Sequence, residues 1–274
     1  MKDNISSLFL QKITGLTQQQ LFINPLPDPL PSKEGELYHS YISRLESGEP
    51  IEYILEQAEF YSLEFFVDAR VLIPRNDTEC MVDIVLQSIS SCMKEQKEIV
   101  YIDVWTGSAC IPISVLKNTS QELTQAYALD ISKLAGEVAR INIASHGLQD
   151  TLTFQSSDLL WVILEKQYTN KDIIVTANLP YIKQDDFENM DRSVYMHEPE
   201  TALYGGQDTW FELYEKLITQ CQKLSDNHNT VLVHIEIGFD QKDICESYLA
   251  LHGYSYEIYK DAGWVDRCVK IYIR

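Results

Sequence analysis

The stretch that decides the fold is Asp103-Val-Trp-Thr-Gly-Ser-Ala109, which follows the apolar run 99–104 and precedes a helical pattern from about residue 111. A strand, a glycine-containing turn and a helix in this order have the shape of a nucleotide-binding loop. The loop lacks the Lys-Ser/Thr pair of a P-loop and the G-x-G-x-x-G pattern that binds a pyrophosphate. Both patterns bind phosphate groups, so the loop is better suited to a nucleoside cofactor without phosphate, such as S-adenosylmethionine.

Strand and helix patterns alternate on both sides of this loop. The predicted helices are 78–95, a segment from about 111, 132–146, 208–224 and 241–251, and the predicted strands are 99–104, 125–129, 152–155, 173–177, 230–237, 254–259 and 268–273. This alternation predicts the α/β class, with a mainly parallel sheet covered on both faces. Ligands of such sheets bind beyond the carboxyl ends of the strands.

The amino-terminal part of the chain has a different pattern. Short helices are predicted at 6–13 and 34–46. They are separated by a stiff loop that no helix can cross, with Pro25, Pro27, Pro29 and Pro31. The runs 60–67 and 71–73 predict a linking hairpin. We therefore predict a helical domain with its hairpin at 1–73 and an α/β domain at 74–274.

Polar residues stand at the ends of four successive predicted strands, namely Asp103, Asp130, Asp158 and Asn178. The carboxylate of Asp130 can accept hydrogen bonds from both hydroxyls of a ribose, and Asp158 stands where it could accept one from an adenine amino group. A single Asp at a strand end is usually a helix cap. Three in succession favour an adenosyl cofactor.

The run Asn178-Leu179-Pro180-Tyr181, here called the clamp, ends the apolar stretch 172–177. The side-chain oxygen of Asn178 and the carbonyl of Leu179 can each accept one N–H, and the ring of Tyr181 can cover a flat group. These groups predict methyl transfer to a planar nitrogen. Taken alone, the four residues also fit a strand followed by a proline turn.

The composition limits the partners. The chain has 22 Lys and Arg against 41 Asp and Glu, a net charge of −19, whereas binding to a phosphate backbone needs clustered cations. The charge fits a basic protein partner, and simple solubility explains it equally well. The six cysteines form no C-x-x-C pair, and neither a signal peptide nor a membrane-spanning run is present. We expect a cytoplasmic monomer with reduced thiols and no metal site.

The chain resembles the release-factor glutamine N5-methyltransferases over nearly its whole length. The matching segments are 47–54 with Phe60, Leu72-Ile-Pro-Arg-Asn-Asp-Thr-Glu79, 130–142, Asn178-Leu-Pro-Tyr-Ile182, 198–206, Glu236-Ile-Gly-Phe-Asp-Gln241, and Asp261 with Arg267. The N-x-P-Y motif is shared with adenine methyltransferases, whereas the L-I-P-R segment and the carboxy-terminal elements are specific to this family.

The resemblance implies a Rossmann-like, S-adenosylmethionine-dependent methyltransferase sheet behind a small helical substrate-recognition domain. The implied substrate is the glutamine in the Gly-Gly-Gln loop of class I peptide chain release factors. It assigns the carboxamide of that glutamine to Asn178, Leu179, Pro180 and Tyr181. The cofactor contacts that it implies are Trp105, Thr106, Gly107, Ser108, Ala109, Asp130, Asp158, Leu159 and Asn178.

Several positions in these motifs depart from the family pattern, among them Asn76, which replaces the second Pro of L-I-P-R-P-D-T-E. Leu179 replaces the first Pro of the clamp, which keeps the carbonyl and loses some rigidity, so we expect reduced rather than absent activity. Trp105 and Ala109 replace the first and third glycines of D-x-G-x-G-x-G. An indole at 105 would project into the space through which the backbone approaches the cofactor.

The other tryptophans lead to a hypothesis about the gene. Trp264 also stands on a family glycine, Trp210 does so only in a shifted register, and Trp161 stands where glycine would be unremarkable. Two of four tryptophans on motif glycines exceed the glycine share of about 7% in proteins. We hypothesise that the gene comes from an organism that translates UGA as glycine. The natural protein would then have glycine at positions 105 and 264, and positions 161 and 210 are further candidates for glycine. The alternative is a diverged homologue with real tryptophans.

Two other functions stay open on the sequence alone. An adenine N6-methyltransferase acting on nucleic acid also uses N-x-P-Y, for a flipped base, although the acidic balance and the lack of a basic arm argue against it. A non-catalytic protein that binds release factors without holding the cofactor is favoured if Trp105 is genuine.

Overall fold

The computed structural model describes residues 2–23, 26, 30–92, 98–119, 123–166, 168–183, 185–186, 190–206, 210–226 and 229–273. The helices are α1 Lys2–Thr14, α2 Gln18–Ile23, α3 Ser32–Glu46, α4 Ile51–Leu55, α5 Glu79–Cys92, α6 Cys110–Asn118, α7 Lys133–Ser145, α8 Trp161–Leu164, α9 Arg192–His197, α10 Glu212–Ser225 and α11 Lys242–Leu251. The strands are β1 Ala58–Phe60, β2 Leu63–Phe65, β3 Ile99–Val104, β4 Gln125–Asp130, β5 Leu152–Ser156, β6 Asp172–Ala177, β7 Thr230–Glu236, β8 Ser255–Lys260 and β9 Asp266–Ile273.

A seven-stranded sheet in the order β5-β4-β3-β6-β7-β9-β8 forms the centre of the described chain. Strands β3 to β7 pair in parallel, whereas β9 runs antiparallel to both of its neighbours. Every residue of β3 and β6 is buried, as expected when helices cover both faces of a sheet. The prediction of a mainly parallel α/β sheet is confirmed.

The two faces of the sheet carry separate apolar layers. Helix α10 packs on β7 and β9, and its Leu217 lies in a core cluster with Ile102 and Val104. Helix α5 packs on the opposite face, where Ile84 clusters with Tyr101 and Ile113. Successive side chains of a strand point to opposite faces, so β3 contributes to both layers.

The strand order reverses between β3 and β6, which places the site. The chain runs outward from β3 through β4 to β5 and then returns to β6 on the other side of β3. Val104 at the end of β3 pairs with Leu129 of β4 and with Ala177 of β6. The segments that follow these three strands therefore meet at one edge of the sheet, where ligands of such folds bind.

One predicted strand is wrong, and several short helices were not predicted. Residues 71–73 form no strand, because Val71 and Ile73 are buried against α7 and their backbone groups bond to a turn and to side chains. The amide of Val71 donates to the carbonyl of Asp68, and the amide of Ile73 donates to the side chain of Glu198. The hydroxyl of Tyr53 donates to the carbonyl of Val71 at 2.6 Å. The predicted loop after β6 contains α9, and α10 begins at Glu212 rather than at 208.

The amino-terminal helices form the predicted helical region. Phe9 of α1 is fully buried and meets Tyr41 of α3 edge to face, with ring centroids 5.2 Å apart. A hairpin is present, but it is formed by β1 and β2, and its turn lies inside the run 60–67 that was predicted to be one strand. Pro25, Pro27 and Pro29 of the predicted stiff loop lie outside the described residues. The domain boundary at residue 73 stays a prediction.

None of the described helices combines the length and the apolar character that crossing a bilayer requires.

Candidate functional site

The loop 105–109 lies between the ends of β4 and β6, and its residues 105–108 line a cavity. This cavity, here called the strand-end cavity, is also lined by Asp130, by Asn178, and by Arg75 and Thr78 of the L-I-P-R-N-D-T-E segment. The sequence predicted that the loop, Asp130 and Asn178 meet, and in the structure they share one cavity. Arg75 and Thr78 had been matched to a family motif without a role.

The backbone of the loop is left-handed at every second position. Trp105, Gly107 and Ala109 have φ values of 63°, 54° and 64°. The amide of Thr106 donates to Leu129 O at 2.9 Å, and the amide of Gly107 donates to Asp130 Oδ2 at 2.9 Å. Glycine adopts this conformation freely, whereas each residue with a Cβ costs about 1 kcal/mol there.

The indole of Trp105 forms part of the wall of the strand-end cavity. Its Nε1 donates to the carbonyl of Thr201 at 3.3 Å, and its ring lines the cavity together with Asp130 and Asn178. Thr201 belongs to the short 3₁₀ turn Glu200–Ala202, which also lines this cavity. The indole therefore narrows the cavity in which the sequence predicted a cofactor.

Two buried carboxyl groups stand at the ends of β3 and β4. Asp130 accepts from the amides of Gly107 and Ser132 at 2.9 and 2.8 Å, and burial raises its pKa. Asp103 accepts from Thr176 Oγ1 at 2.5 Å, and burial raises its pKa to about 7. Its Oδ2 has no hydrogen-bond partner among the described residues. Asp130 lines the cavity, whereas Asp103 is buried and is not among the residues that line it.

Three predicted cofactor residues do not line the strand-end cavity, and one of them, Ala109, is fully buried in the core with residues of helix α5. Asp158 is half exposed and forms an ion pair of 2.6 Å with Lys216. Leu159 is fully buried in the core with a φ of 52°. None of the three residues lines the strand-end cavity as the structure describes it. Their roles in cofactor binding stay predictions.

Asn178 is the point at which two cavities meet. It lines the strand-end cavity and also a second cavity, here called the clamp cavity, with Leu179, Tyr181 and Leu203. Its Nδ2 makes a long contact of 3.4 Å to Thr78 Oγ1, which assigns Oδ1 as the acceptor for a ligand N–H. A group bound in one cavity can therefore reach a group bound in the other beside this side chain.

Leu179 serves two purposes through two parts of the residue. Its side chain is 1% exposed and packs in the core, while its carbonyl accepts from the hydroxyl of Tyr214 at 3.0 Å. The same hydroxyl also donates to the carbonyl of Glu236 at 2.5 Å, so its single proton is shared between the two carbonyls. A carbonyl oxygen has two lone pairs, so that of Leu179 can accept a second N–H. No motif in the sequence singles out Tyr214, which lies in the amphipathic helix α10.

Gly205 lies against the backbone of Tyr181, and Gly238 lies against its ring. A Cβ on Gly205 would lie 2.6 Å from the Cα of Tyr181, and a Cβ on Gly238 would lie 3.0 Å from its ring. Both distances are too short for another residue, so these two glycines let neighbouring backbone approach the clamp. The amide of Ile182 donates to Leu203 O at 2.9 Å and ties the end of the clamp to the same segment.

Glu236 lies beneath the clamp. It is 2% exposed, and the hydroxyl of Tyr181 donates to its Oε1 at 3.4 Å. Burial raises the pKa of Glu236 to about 7, and burial also raises the pKa of Tyr181, which keeps that hydroxyl protonated. The sequence matched Glu236 to a motif but did not predict this contact.

Arg75 and Glu198 hold the walls of both cavities together. Arg75 Nη2 lies 2.5 Å from Glu198 Oε1, and the amide of Ile73 donates to Oε2 at 3.3 Å. The Glu198 side chain is 1% exposed, and burial raises its pKa. Two segments more than a hundred residues apart in the sequence are thereby fixed around Asn178.

Comparison with known proteins agrees with this arrangement. Residues 3–55 match the family model described as the PrmC N-terminal domain. The release factor glutamine methyltransferase of Clostridium botulinum is 35% identical over 267 residues, which cover 97% of this chain and 90% of that protein. The release factor glutamine methyltransferase of Bacillus subtilis is 31% identical over 271 residues, covering 98% of this chain and 90% of that protein.

Solved structures share the fold at low sequence identity. The catalytic domain of human Mettl16 in complex with an RNA hairpin has a TM-score of 0.55 and 13% identity, and it covers 88% of this chain and 82% of that chain. The amino-terminal domain of human METTL16 in complex with SAH has a TM-score of 0.52 and 14% identity over the same shares of the two chains. These likenesses show a methyltransferase fold.

Proposed function

The chain belongs to the family of release factor glutamine methyltransferases, and we propose that it methylates the side-chain nitrogen of a glutamine in a peptide chain release factor. The methyl donor is S-adenosylmethionine. We further propose that the target is the glutamine of the Gly-Gly-Gln loop of a class I factor and that the enzyme acts as a cytoplasmic monomer without direct contact to nucleic acid.

The observation that carries this proposal is that Asn178 lines two adjoining cavities. One is bordered by a nucleotide-type loop and a strand-end carboxylate, the other by a carbonyl and an aromatic ring. Donor and acceptor of a group transfer need this arrangement, because their reacting atoms must meet at one point while their remaining parts are bound separately.

The residues of the strand-end cavity fit an adenosyl cofactor except at position 105. Asp130 would accept the ribose hydroxyls, and the backbone of Thr106 to Ser108 would lie against the cofactor. S-adenosylmethionine supplies a methyl group activated by a sulfonium centre. The indole of Trp105 lines the same cavity and reduces the room for this ligand.

The clamp has to overcome the low nucleophilicity of an amide. The lone pair of the glutamine nitrogen is delocalised into its carbonyl group. We propose that Asn178 Oδ1 and Leu179 O each accept one N–H, which fixes the direction of the nitrogen. The ring of Tyr181 then covers the carboxamide and excludes water, so positioning and desolvation provide most of the acceleration. Directly after methyl transfer the amide nitrogen carries a positive charge and both of its hydrogens, so it is strongly acidic and releases a proton without a strong base.

The net charge of −19 supports a protein partner of basic character. An adenine methyltransferase remains a second candidate because the clamp also suits an adenine amino group. A release-factor-binding protein without activity is the third, and the indole in the wall of the strand-end cavity is the observation that favours it.

The test uses two purified release factors, one with its natural loop and one with the loop Gln→Ala substitution. Each is incubated with radiolabelled S-adenosylmethionine and either this protein or its Trp105→Gly variant. We expect label on the natural factor alone, with more label from the variant. Equal labelling of both factors would refute glutamine methylation. Labelling of adenine-containing RNA or DNA instead would establish the second candidate, and no labelling by either enzyme would establish the third.

A further inference from the structure

Three of the four tryptophans have a backbone conformation that is typical of glycine. Trp105, Trp210 and Trp264 have φ values of 63°, 55° and 63°. The fourth, Trp161, opens helix α8 and is absent from the left-handed residues. The sequence alone offered Trp210 only as weak support, because it fits a family glycine in a shifted register.

Left-handed backbone is far more frequent among the tryptophans than among the other non-glycine residues of the described chain. Only six other non-glycine residues of the described chain are left-handed, which are Glu56, Tyr61, Ser62, Ala109, Leu159 and Asn170. A bulky residue in this region is a genuine outlier, since its Cβ crowds the backbone. Three of four tryptophans in this state therefore require an explanation that concerns tryptophan itself.

The contacts of the indoles do not explain the strain. Trp264 is 81% exposed and lies in a turn that uses its backbone, with its amide donating to Asp261 O at 3.0 Å. Lys183 Nζ lies 4.1 Å from the centroid of the Trp210 ring, and the carbonyl of Trp210 accepts from Gln241 Nε2 at 2.7 Å. In both turns the hydrogen bonds of the backbone would be kept by glycine.

We propose that the natural residue at positions 105, 210 and 264 is glycine and that the corresponding codons are UGA, read as glycine in the source organism. At position 105 this removes the indole from the wall of the strand-end cavity and leaves a loop of the kind that approaches a cofactor closely. Position 161 carries no weight, because its backbone accepts either residue. The inference concerns the backbone and the gene and is independent of the substrate.

One consequence rests on the proposed function. Where UGA encodes glycine, a release factor that recognises UGA would end translation inside this gene. The protein substrate is then a factor that recognises UAA and UAG. A UGA-specific release factor encoded in the source genome would overturn the recoding, whatever the activity of the enzyme.

The decisive test reads the codons and the protein. UGA at 105, 210 and 264, with glycine in the peptides of the protein purified from its source, supports the proposal. UGG at any of the three positions, or tryptophan in any of those peptides, overturns it. Neither measurement depends on methyltransferase activity.

A second test measures how much stability a side chain at the positive φ of position 264 costs the protein. Trp264→Gly is expected to raise the midpoint of thermal unfolding by about 3 °C over Trp264→Ala, which retains a Cβ at positive φ. The matched control, Trp161→Gly, places glycine in a helix and is expected to lower the midpoint. A Trp264→Gly protein that is no more stable than Trp264→Ala would overturn the argument from conformation.

Discussion

The loop 105–109 and the clamp 178–181 stand at the ends of paired strands, and both depart from the family pattern, yet only one of them is compromised. In the clamp, Leu179 turns its side chain into the core and offers its carbonyl, which the hydroxyl of Tyr214 holds in place. In the loop, Trp105 puts its indole into the wall of the strand-end cavity from a left-handed backbone.

This comparison shows that a motif tolerates a substitution when the new residue keeps the atoms on which the motif depends. The clamp acts at position 179 through a carbonyl, which every residue has. The loop acts at position 105 through the absence of a side chain, which only glycine provides. We therefore expect the clamp to be competent and the loop to limit activity.

Removing the carboxamide of the clamp gives the largest expected effect. In a Trp105→Gly background, Asn178→Ala is expected to lower kcat by about 10²–10³-fold, because the acceptor that orients the substrate nitrogen is lost. Single-turnover methyl transfer to a release factor measures this. A kcat within a few-fold of the parent would show that the clamp does not position the substrate.

The matched variant is Tyr181→Phe, which keeps the ring and loses only the contact with Glu236. It is expected to lower kcat by about tenfold or less. A larger loss than that of Asn178→Ala would shift the orienting role from the carboxamide to the phenol.

The pH dependence of stability compares the carboxyl groups beneath the two regions. Burial raises the pKa of Glu236 from its ordinary 4.5 to about 7, so the folded state holds this proton more tightly than the unfolded chain. Stability is therefore greatest below pH 4.5 with respect to this group, and it falls as the pH rises to about 7. The parent should therefore lose on the order of 2–3 kcal/mol of its free energy of unfolding over this range, and Glu236→Gln should not show this loss.

Urea unfolding at pH 5 and pH 8 measures this difference. Asp103→Asn is the corresponding variant beneath the loop, since burial raises the pKa of Asp103 from 3.8 to about 7. Each variant should lose less stability than the parent between the two pH values. An unchanged pH dependence in the Glu236→Gln protein would show that this carboxyl does not titrate there.

The smallest effect is expected from the hydroxyl that holds the clamp carbonyl. Tyr214→Phe should lower kcat by only about threefold, with cofactor affinity unchanged, since the proton that is lost was shared between the carbonyls of Leu179 and Glu236. Tyr248→Phe is a suitable control, because its hydroxyl contacts the carbonyl of Glu215 at 3.5 Å, away from the clamp. Equal effects of both variants on kcat would contradict a positioning role for Tyr214.

Much of this site could be predicted from local sequence. Strand periodicity and the residues that follow β3, β4 and β6 placed the loop, Asp130 and Asn178 at one edge. The support beneath the clamp could not be predicted, because the contacts of Tyr214 and Glu236 join residues on separate elements and leave no local pattern. The strand predicted at 71–73 was wrong for the same reason, since tertiary contacts replaced its sheet partners.

The central claim is that the indole at 105 limits cofactor binding at an otherwise competent site. Calorimetric titration of S-adenosylmethionine into the protein as written, Trp105→Gly and Trp161→Gly tests it directly. We expect the Kd of Trp105→Gly to be at least about tenfold lower than that of the protein as written, which corresponds to about 1.4 kcal/mol of binding free energy. The Kd of Trp161→Gly should be no lower than that of the protein as written. A Kd for Trp105→Gly equal to or higher than that of the protein as written would contradict the account.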